Sequence, residues 1–406
     1  MRPFTGRRVL LGVTGGIACY KSVTVARLLT QAGADVDVVL TRGGREFVGP
    51  ITFEAVTGRA VHGDIFAPGH ALDHIRLARA ADVVVVAPAT ADFMARAAQG
   101  RADDLLTACL LASKAPVVVV PAMNDGMWAH PQTVLNAAHL REIGYVVVEP
   151  DAGPLAVGEG SGPGRMPEPE SVVAHVGRAL DSGGALAGLR VVVTAGPTRE
   201  AIDPVRFISN HSSGRMGVAI AAAAWRRGAS VTLIAGPIEV APPAGVTTVS
   251  VRSTDEMRDA VSAALGDADV LVMAAAPADF RPAEVATRKI KKSAAPESIA
   301  LTRTDDILST TVARRRPGAV VVGFALETND VLDGARSKLT SKRLDLVVAN
   351  DATEAGAGFG GDTNRVTLLD ARGAVDALPL LSKAEVADAI LDRVERLAAE
   401  KRNRGA

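Results

Sequence analysis

The stretch 191-VVVTAGPTREAIDPVRFISNHSSGRMG-217 decides how this chain folds. An apolar run from Val191 enters the Gly196-Pro197 turn, a polar loop follows, and Ser212-Ser213-Gly214 stand at the mouth of the Ala-rich segment Met216–Arg227. A strand, a glycine-bearing loop and a helix N-terminus in that order hold an anionic phosphate, because unpaired backbone N–H groups and the positive end of the helix dipole meet there. The pattern begins at mid-chain, so a second nucleotide-type fold starts there.

Working outward, short valine-rich runs recur before it: Val9–Leu11, Val36–Leu40, Val83–Ala87, Val117–Val120 and Val146–Val148. None alternates with polar residues, which predicts strands buried on both faces of a parallel sheet. Helical patterns at Tyr20–Gln31, Leu72–Ala80, Asp103–Ala112 and Thr133–Ile143 separate them. After one more amphipathic segment, Ser171–Leu180, comes Asp181-Ser182-Gly183-Gly184-Ala185, the natural boundary. The second half repeats the scheme with strands near 190–194, 230–234, 246–251, 270–275, 319–324 and 346–349, an edge strand at 365–369, and helices at 216–227, 254–265, 305–314, 329–342 and 382–401. The fold class is therefore α/β, two tandem doubly wound, mostly parallel sheets: residues 1–180, a linker at 181–188, and 189–406. Phe280–Arg303 fits neither pattern and reads as an excursion carrying the basic run Arg288-Lys289-Ile290-Lys291-Lys292.

Composition sets limits on function. With 45 Lys+Arg against 45 Asp+Glu and 3% aromatics among 406 residues, the chain lacks the basic field and stacking surface of a nucleic-acid binder. Its two cysteines, Cys19 and Cys109, offer neither a disulfide framework nor a thiolate metal site. The first residues lack the apolar core of a signal peptide and no run is long enough to span a bilayer, so the sequence reads as cytosolic.

Three loops of the first half follow strands: Gly12-Val13-Thr14-Gly15-Gly16-Ile17, Ala87-Pro88-Ala89-Thr90-Ala91-Asp92 and Pro121-Ala122-Met123-Asn124. Ligands of open α/β sheets gather at such strand ends, so these loops should converge on one crevice. The first loop matches G-x-G-x-x-G poorly, and the second strand ends in Thr41 where a dinucleotide site needs a ribose-binding carboxylate. A mononucleotide is the better reading. His74 follows Asp73 on a predicted helix; alone, such a histidine is more often structural than catalytic.

The motifs GVTGGIACYK, LDHIRLA, APATADFMARAAQGRADDLL, PAMNDGMW and GPGRM, in that order, resemble the flavin-dependent cysteine decarboxylase family, specifically its phosphopantothenoylcysteine decarboxylases. The resemblance implies bound FMN, with Gly15, Gly16, Ile17 and Thr41 near its phosphate and Ala87, Pro88, Ala89 and Thr90 nearby. It makes His74 the active-site histidine and gives Asn124 the substrate carboxylate. The implied chemistry oxidises the cysteine thiol to a thioaldehyde that takes up the electrons left by departing CO₂, then reduces the enethiol. Proton transfer suits a histidine, and a neutral amide fixes a carboxylate without opposing its loss. One departure stands out. The family's flap carries a proton-donating cysteine, whereas this chain reads AVGEGSGPGRM from Ala156, so Glu159, Ser161 or water takes that role, with Glu159 favoured, or else the reductive half is impaired.

The opening stretch resembles phosphopantothenate cysteine ligases, as do AAAPADFRP at Ala274, RKIKK at Arg288, VGFALET at Val322, KLTSKRLDLVVAND at Lys338 and GFGGDTN at Gly358. Together the halves resemble the bifunctional coenzyme A biosynthesis family. The resemblance implies CTP-driven activation of phosphopantothenate as an acyl cytidylate, with Mg²⁺, followed by attack of the cysteine amine. It assigns Asn210 to turnover of that intermediate, where an amide holds an acyl-phosphate oxygen without being a competing nucleophile. Ser212 and Gly214 form the triphosphate cradle; Lys289, Lys338 and Lys342 bind nucleotide; Ala274, Ala275, Ala276, Asp279 and Phe324 fall at the cytidine. Asp279 reads equally as a turn residue before Phe280-Arg281-Pro282. Asp305-Asp306-Ile307-Leu308 stands where the family has Pro-Asp-Ile after an Asn, which predicts a looser turn there. The basic run at 288–292 is either a solvated edge or a short strand with one apolar face against a second subunit. By resemblance alone the chain forms a homo-oligomer, with ligase dimers and a larger decarboxylase assembly. Other readings are a flavin-binding scaffold with a decayed site, a purely oxidative peptide-cysteine decarboxylase, and a nicotinamide dehydrogenase, the last disfavoured by the missing ribose-binding acid.

Overall fold

Valine runs that do not alternate become strands covered on both sides. Within 83–87, Val83, Val85 and Ala87 join one apolar cluster with Val9, Leu11, Val25 and Leu29, whereas Val84 and Val86 join another with Leu10, Phe93 and Leu106. Every residue of the strand therefore faces a packed helix layer, and a polar residue at any position would be buried.

The computed structural model describes residues 3–66, 70–155, 158, 160–181, 183–291, 298–327, 331–351 and 361–405. The chain divides into two compact units, Met1–Ser182 and Gly183–Ala406. In the first, Arg8–Val13 (β1), Asp35–Leu40 (β2), Val61–His62 (β3), Val83–Ala89 (β4), Val117–Pro121 (β5) and Val146–Val147 (β6) form a parallel sheet in the order β3-β2-β1-β4-β5-β6. An antiparallel hairpin, Asp151–Pro154 (β7) with Ser161–Arg165 (β8), stands apart from it.

The second unit begins with Arg190–Ala195 (β9), the antiparallel pair Arg199–Ala201 (β10) and Phe207–Ser209 (β11), Ser230–Ala235 (β12), Thr247–Ser250 (β13) and Val270–Met273 (β14). It continues with the pair Phe280–Pro282 (β15) and Leu301–Arg303 (β16), then Val320–Glu327 (β17), Leu346–Asp351 (β18), Thr363–Asn364 (β19), Thr367–Asp370 (β20), Val375–Ala377 (β21) and Leu381–Ser382 (β22). Its main sheet runs β13-β12-β9-β14-β17-β18-β20-β21. The pairs from β13 to β18 are parallel and the last two antiparallel. Counting parallel strands alone, both units have the order 3-2-1-4-5-6, with the chain reversing direction between its first and fourth strands.

Three expectations change. The strand expected at the edge near 365–369 is β20, an interior strand covered by β21; Val375–Ala377 is too short and too exposed to announce itself. The helix expected over 305–314 is broken into Ile307–Thr310 and a 3₁₀ turn at Val312–Arg314. Thr310 and Thr311 bond back to the carbonyls of Asp306 and Ile307, and Arg315 takes up the Leu308 carbonyl. The basic run adopts no strand over its described residues 288–291; instead Ile290 is fastened by its backbone to Asp203 and Arg206. Within the stretch expected to be a linker, Leu186 is buried and Ala187 N–H closes a turn on Gly184.

Candidate functional site

In the first unit the loops after β1, β2 and β4 meet where the strand order reverses. Thr14 donates to the Pro88 carbonyl through its backbone (3.3 Å) and its hydroxyl (2.7 Å), and the Thr90 N–H donates to that hydroxyl (3.1 Å). The Thr41 hydroxyl donates to Val13 O (3.0 Å) and accepts from Gly44 N–H (3.2 Å). Gly15 packs so closely on Gly43 that a Cβ there would lie 2.8–2.9 Å from three backbone atoms, so the two loops are held backbone to backbone. In front of Gly16, by contrast, the nearest atom to such a Cβ is Thr90 Cγ2 at 3.9 Å, leaving open space over the loop. The helix Cys19–Gln31 begins at Ala18 with no side-chain cap; the Cys19 and Lys21 N–H groups close turns on Gly16 O (3.0 Å) and Ala18 O (2.9 Å), and no described hydrogen bond takes the N–H groups of Gly15, Gly16 and Ile17, which are left to an anion. Gly15, Gly16, Thr41 and Ala87–Thr90 are thus brought together, with Ile17 exposed at the edge. A phosphate-bearing flavin fits these open N–H donors.

His74 is the second residue of the helix Asp73–Ala80; its Nδ1 is buried and has no hydrogen-bond partner. No described hydrogen bond joins it to the glycine loops or to Asn124. Beside it, Asp73 receives His70 Nδ1 (2.8 Å), Arg76 (3.1 Å) and, at 3.4 Å, His62 Nδ1. Burial works against ionisation of Asp73, but His70 and Arg76 outweigh it and hold the carboxyl below its usual range. Burial pushes His62 down, with Asp73 partly opposing.

Asn124 caps the short helix Asp125–Ala129, its Oδ1 accepting from Gly126 N–H (2.8 Å), which leaves its NH₂ as the donor for a carboxylate. The Met123 N–H bonds Gly164 O (3.0 Å) and so pins this loop against β8. Glu159 lies outside the described residues. Neither cysteine can stand in for the flap cysteine: both are fully buried, and burial pushes the Cys19 thiol up and the Cys109 thiol up to about 12. Sequence reasoning missed Lys21, a buried lysine that binds Met166 O and Glu168 (both 2.9 Å) and ties helix Cys19–Gln31 to the segment after β8.

The second unit carries a cavity of about 680 Å³ at the carboxyl ends of its strands. Asn210, Ser212, Gly214, Ala274–Ala276, Asp279, Asp305–Leu308, Phe324 and Lys338 all line it. Helix Arg215–Arg226 opens there on Gly214, whose φ of 77° is left-handed and whose missing Cβ would run into Ile238. Asn210 donates to Pro277 O (2.9 Å) and Ala276 O (3.4 Å), which commits its NH₂ and leaves its oxygen free to accept. Lys338 donates to Phe324 O. Lys342 does not line the cavity; it binds Asp306 (2.6 Å) and Ser309 (2.8 Å) behind the rim. Burial opposes ionisation of Asp306, but Lys342 and the Ser309 N–H hold its carboxyl below the usual range. Asp305 is not loose, since Arg258 grips it at 2.7 Å. Asp279 lines the cavity, and its carbonyl accepts from Thr304 N–H (3.0 Å). Lys289 is exposed and outside the cavity.

The cavity also contains His211, Arg215, Asn350, Asn364 and Lys383, which sequence reasoning did not single out. Lys383 is buried beside Arg215; burial, then that guanidinium, push its ammonium down, with Asp362 opposing. It begins the last helix, where a single lysine carries no signal of its own. Among the described residues no cluster of three potential metal ligands lies in this cavity.

Fold and sites together define a tandem α/β protein of two doubly wound units, each with loops gathered at the carboxyl ends of its parallel strands. Residues 2–180 match the Flavoprotein family, and residues 186–397 match the DNA/pantothenate metabolism flavoprotein C-terminal domain family. The chain is 50% identical over 403 residues to the coenzyme A biosynthesis bifunctional protein CoaBC of Mycolicibacterium smegmatis, covering 96% of this chain and 97% of that one. It is 44% identical to the proteins of the same name from Vibrio vulnificus, over 98% of this chain and 99% of that one, and from Bacillus subtilis, over 97% of each. The chain belongs to this family of bifunctional coenzyme A biosynthesis enzymes, with a flavoprotein domain as its first unit. No helix among the described residues is long and apolar enough to cross a membrane.

Proposed function

We propose that the second unit joins cysteine to 4'-phosphopantothenate at the expense of CTP, and that the first decarboxylates the product to 4'-phosphopantetheine with FMN. The observation that carries this reading is the second unit's cavity, where the loop 210–217, the strand-end loop 274–279 and the segment 304–308 surround one space. A substrate carboxylate oxygen attacks the α-phosphorus of CTP, and pyrophosphate leaves as its P–O bond breaks. The cysteine amine then attacks the acyl carbon and CMP departs. The N-terminus of helix Arg215–Arg226 with Ser212 and Gly214 receives the phosphates, and Lys338 offsets charge that builds during transfer. With its NH₂ committed to Pro277, Asn210 suits the attacking amine, as an acceptor for its N–H, better than an acyl oxygen.

In the first unit, bound FMN supplies the two-electron oxidation and later reduction that allow CO₂ to leave a saturated carbon. The chain holds its phosphate on loops 12–17 and 41–44. The Asn124 NH₂ fixes the substrate carboxylate, and His74, with an unpartnered Nδ1, moves the proton. Glu159 is the favoured donor to the enethiol; an unchanged yield of reduced product from Glu159→Gln excludes it. Exposed Ile17, Ile51, Phe66 and Leu72 support self-association.

The test is direct. The purified protein should be yellow with an FMN spectrum and, given CTP, Mg²⁺, cysteine and phosphopantothenate, release pyrophosphate and CO₂. Pyrophosphate without CO₂ refutes the decarboxylase assignment and leaves the ligase standing.

A further inference from the structure

We propose that His62, His70 and Asp73 form a binding site for one divalent transition-metal ion of the zinc class. The three residues come from different parts of the first unit: His62 from the end of β3, His70 from the connection that follows, and Asp73 from the first turn of helix Asp73–Ala80. Their ligand atoms all lie within 4.8 Å of one another, and Asp73 is only 8% exposed.

The carboxylate is divided between two tasks. Its Oδ1 accepts from Arg76 Nε (3.2 Å) and NH2 (3.1 Å), while its Oδ2 faces both imidazoles, His70 Nδ1 at 2.8 Å and His62 Nδ1 at 3.4 Å. An arginine on the outer oxygen is the kind of second partner that orients a ligating carboxylate. A tetrahedral ion with bonds of about 2.0–2.1 Å keeps its ligand atoms about 3.3 Å apart. The His62–Asp73 separation of 3.4 Å already meets that spacing. His70 has to move outward by about 0.5 Å, and its half-exposed side chain is free to do so.

Two neutral imidazoles and one carboxylate leave a fourth position for water. Without metal, each Nδ1 facing Asp73 carries a hydrogen; with metal, that hydrogen sits on Nε2 and the Nδ1 lone pair binds, so no proton need be released. Imidazole nitrogen selects zinc, cobalt or nickel over magnesium or calcium, which prefer all-oxygen shells. The ion would fasten strand end, connection and helix start together, one residue before His74. Sequence reasoning did not reach it, because His62 and His70 show none of the spacing of a metal motif.

The full-length protein, stripped with chelator and desalted, is titrated with Zn²⁺ by calorimetry in excess Mg²⁺, and separately with Co²⁺ while following the red-visible absorption of a tetrahedral ion. One Zn²⁺ per chain is expected. His62→Ala and His70→Ala should each weaken it by roughly 100-fold or more, since loss of a supporting outer-shell contact alone costs 10–100-fold. Bound FMN should be unchanged in both variants, showing that the first unit, which carries the substitutions, folds. His62→Asn retains a hydrogen bond to Asp73 but removes the imidazole, and it should also lose the Co²⁺ band. Zn²⁺ binding of unchanged affinity in a His62→Ala/His70→Ala double variant, or failure of the wild type to take up Zn²⁺, overturns the site and leaves a hydrogen-bonded clamp.

Discussion

Replacing Gly15 by alanine puts a methyl carbon 2.8 Å from Gly43 C and 2.9 Å from its Cα and O. An ordinary carbon contact needs about 3.5 Å or more, so the shortfall is about 0.7 Å. The atoms in the way are backbone, with no flexible side chain to swing aside, so loop 12–17 or loop 41–44 has to move. Overpacking of this kind costs about 1–3 kcal/mol. If that strain falls on the flavin phosphate cradle, FMN affinity drops roughly 5- to 150-fold, at about 1.4 kcal/mol per tenfold. Gly43→Ala is the graded control: its Cβ would meet Gly15 Cα at 3.2 Å, a few tenths too close, so its loss should be smaller. The assay is titration of FMN into the flavin-free protein by fluorescence quenching, with ligase turnover as the measure of an intact second unit. Wild-type FMN affinity in Gly15→Ala, or a larger loss in Gly43→Ala, would refute the reasoning that these two loops together hold the phosphate.

Asp388→Ala leaves the nearly buried Arg226 and Arg227 without their shared carboxylate, although Asp392 and Glu395 still face Arg227. A cost of about 3 kcal/mol is expected, at the low end for a broken buried pair, and denaturant unfolding of the second unit measures it. His175 is pushed down to about 4, chiefly by burial and secondly by Arg178. The unfolded chain therefore takes up a proton first as pH falls below 6.5, and the first unit should lose stability between pH 6.5 and about 4, by at most about 3 kcal/mol. His175→Gln should flatten that slope in thermal unfolding against pH. Lys342→Met leaves the Asp306 carboxylate with the Ser309 N–H but no cation at the rim of the second unit's cavity. The KM for CTP should rise by up to about fivefold with a smaller change in kcat, and an unchanged KM makes Lys342 a structural partner only.

Much of the scaffold was legible because its signals are local. Val83–Ala87 and Val191–Val193 are strands for reasons contained in their own composition, and Gly12–Ile17 and Ser212–Gly214 mark strand-to-helix turns whatever else the chain does. The short pairs β10/β11 and β15/β16 were not legible. Three-residue strands have too few positions for a period, and these exist because a neighbour supplies the partner. The same holds for β21, which turned an expected edge strand into an interior one.

The sequence by itself determined that two α/β units lie in tandem, where each has its glycine-bearing strand-to-helix turn, and which family motifs occupy them, because each of these depends on residues adjacent in the chain. Only the tertiary structure decided which turns meet. It set Gly15 against Gly43, gathered 210–217, 274–279 and 304–308 round one cavity, and drew Asn364 and Lys383 into it. It also gave Lys342 to Asp306, Arg258 to Asp305 and the Asn210 NH₂ to Pro277. A side chain's partner is fixed by strand order and helix packing across tens of residues, and no local pattern records that distance.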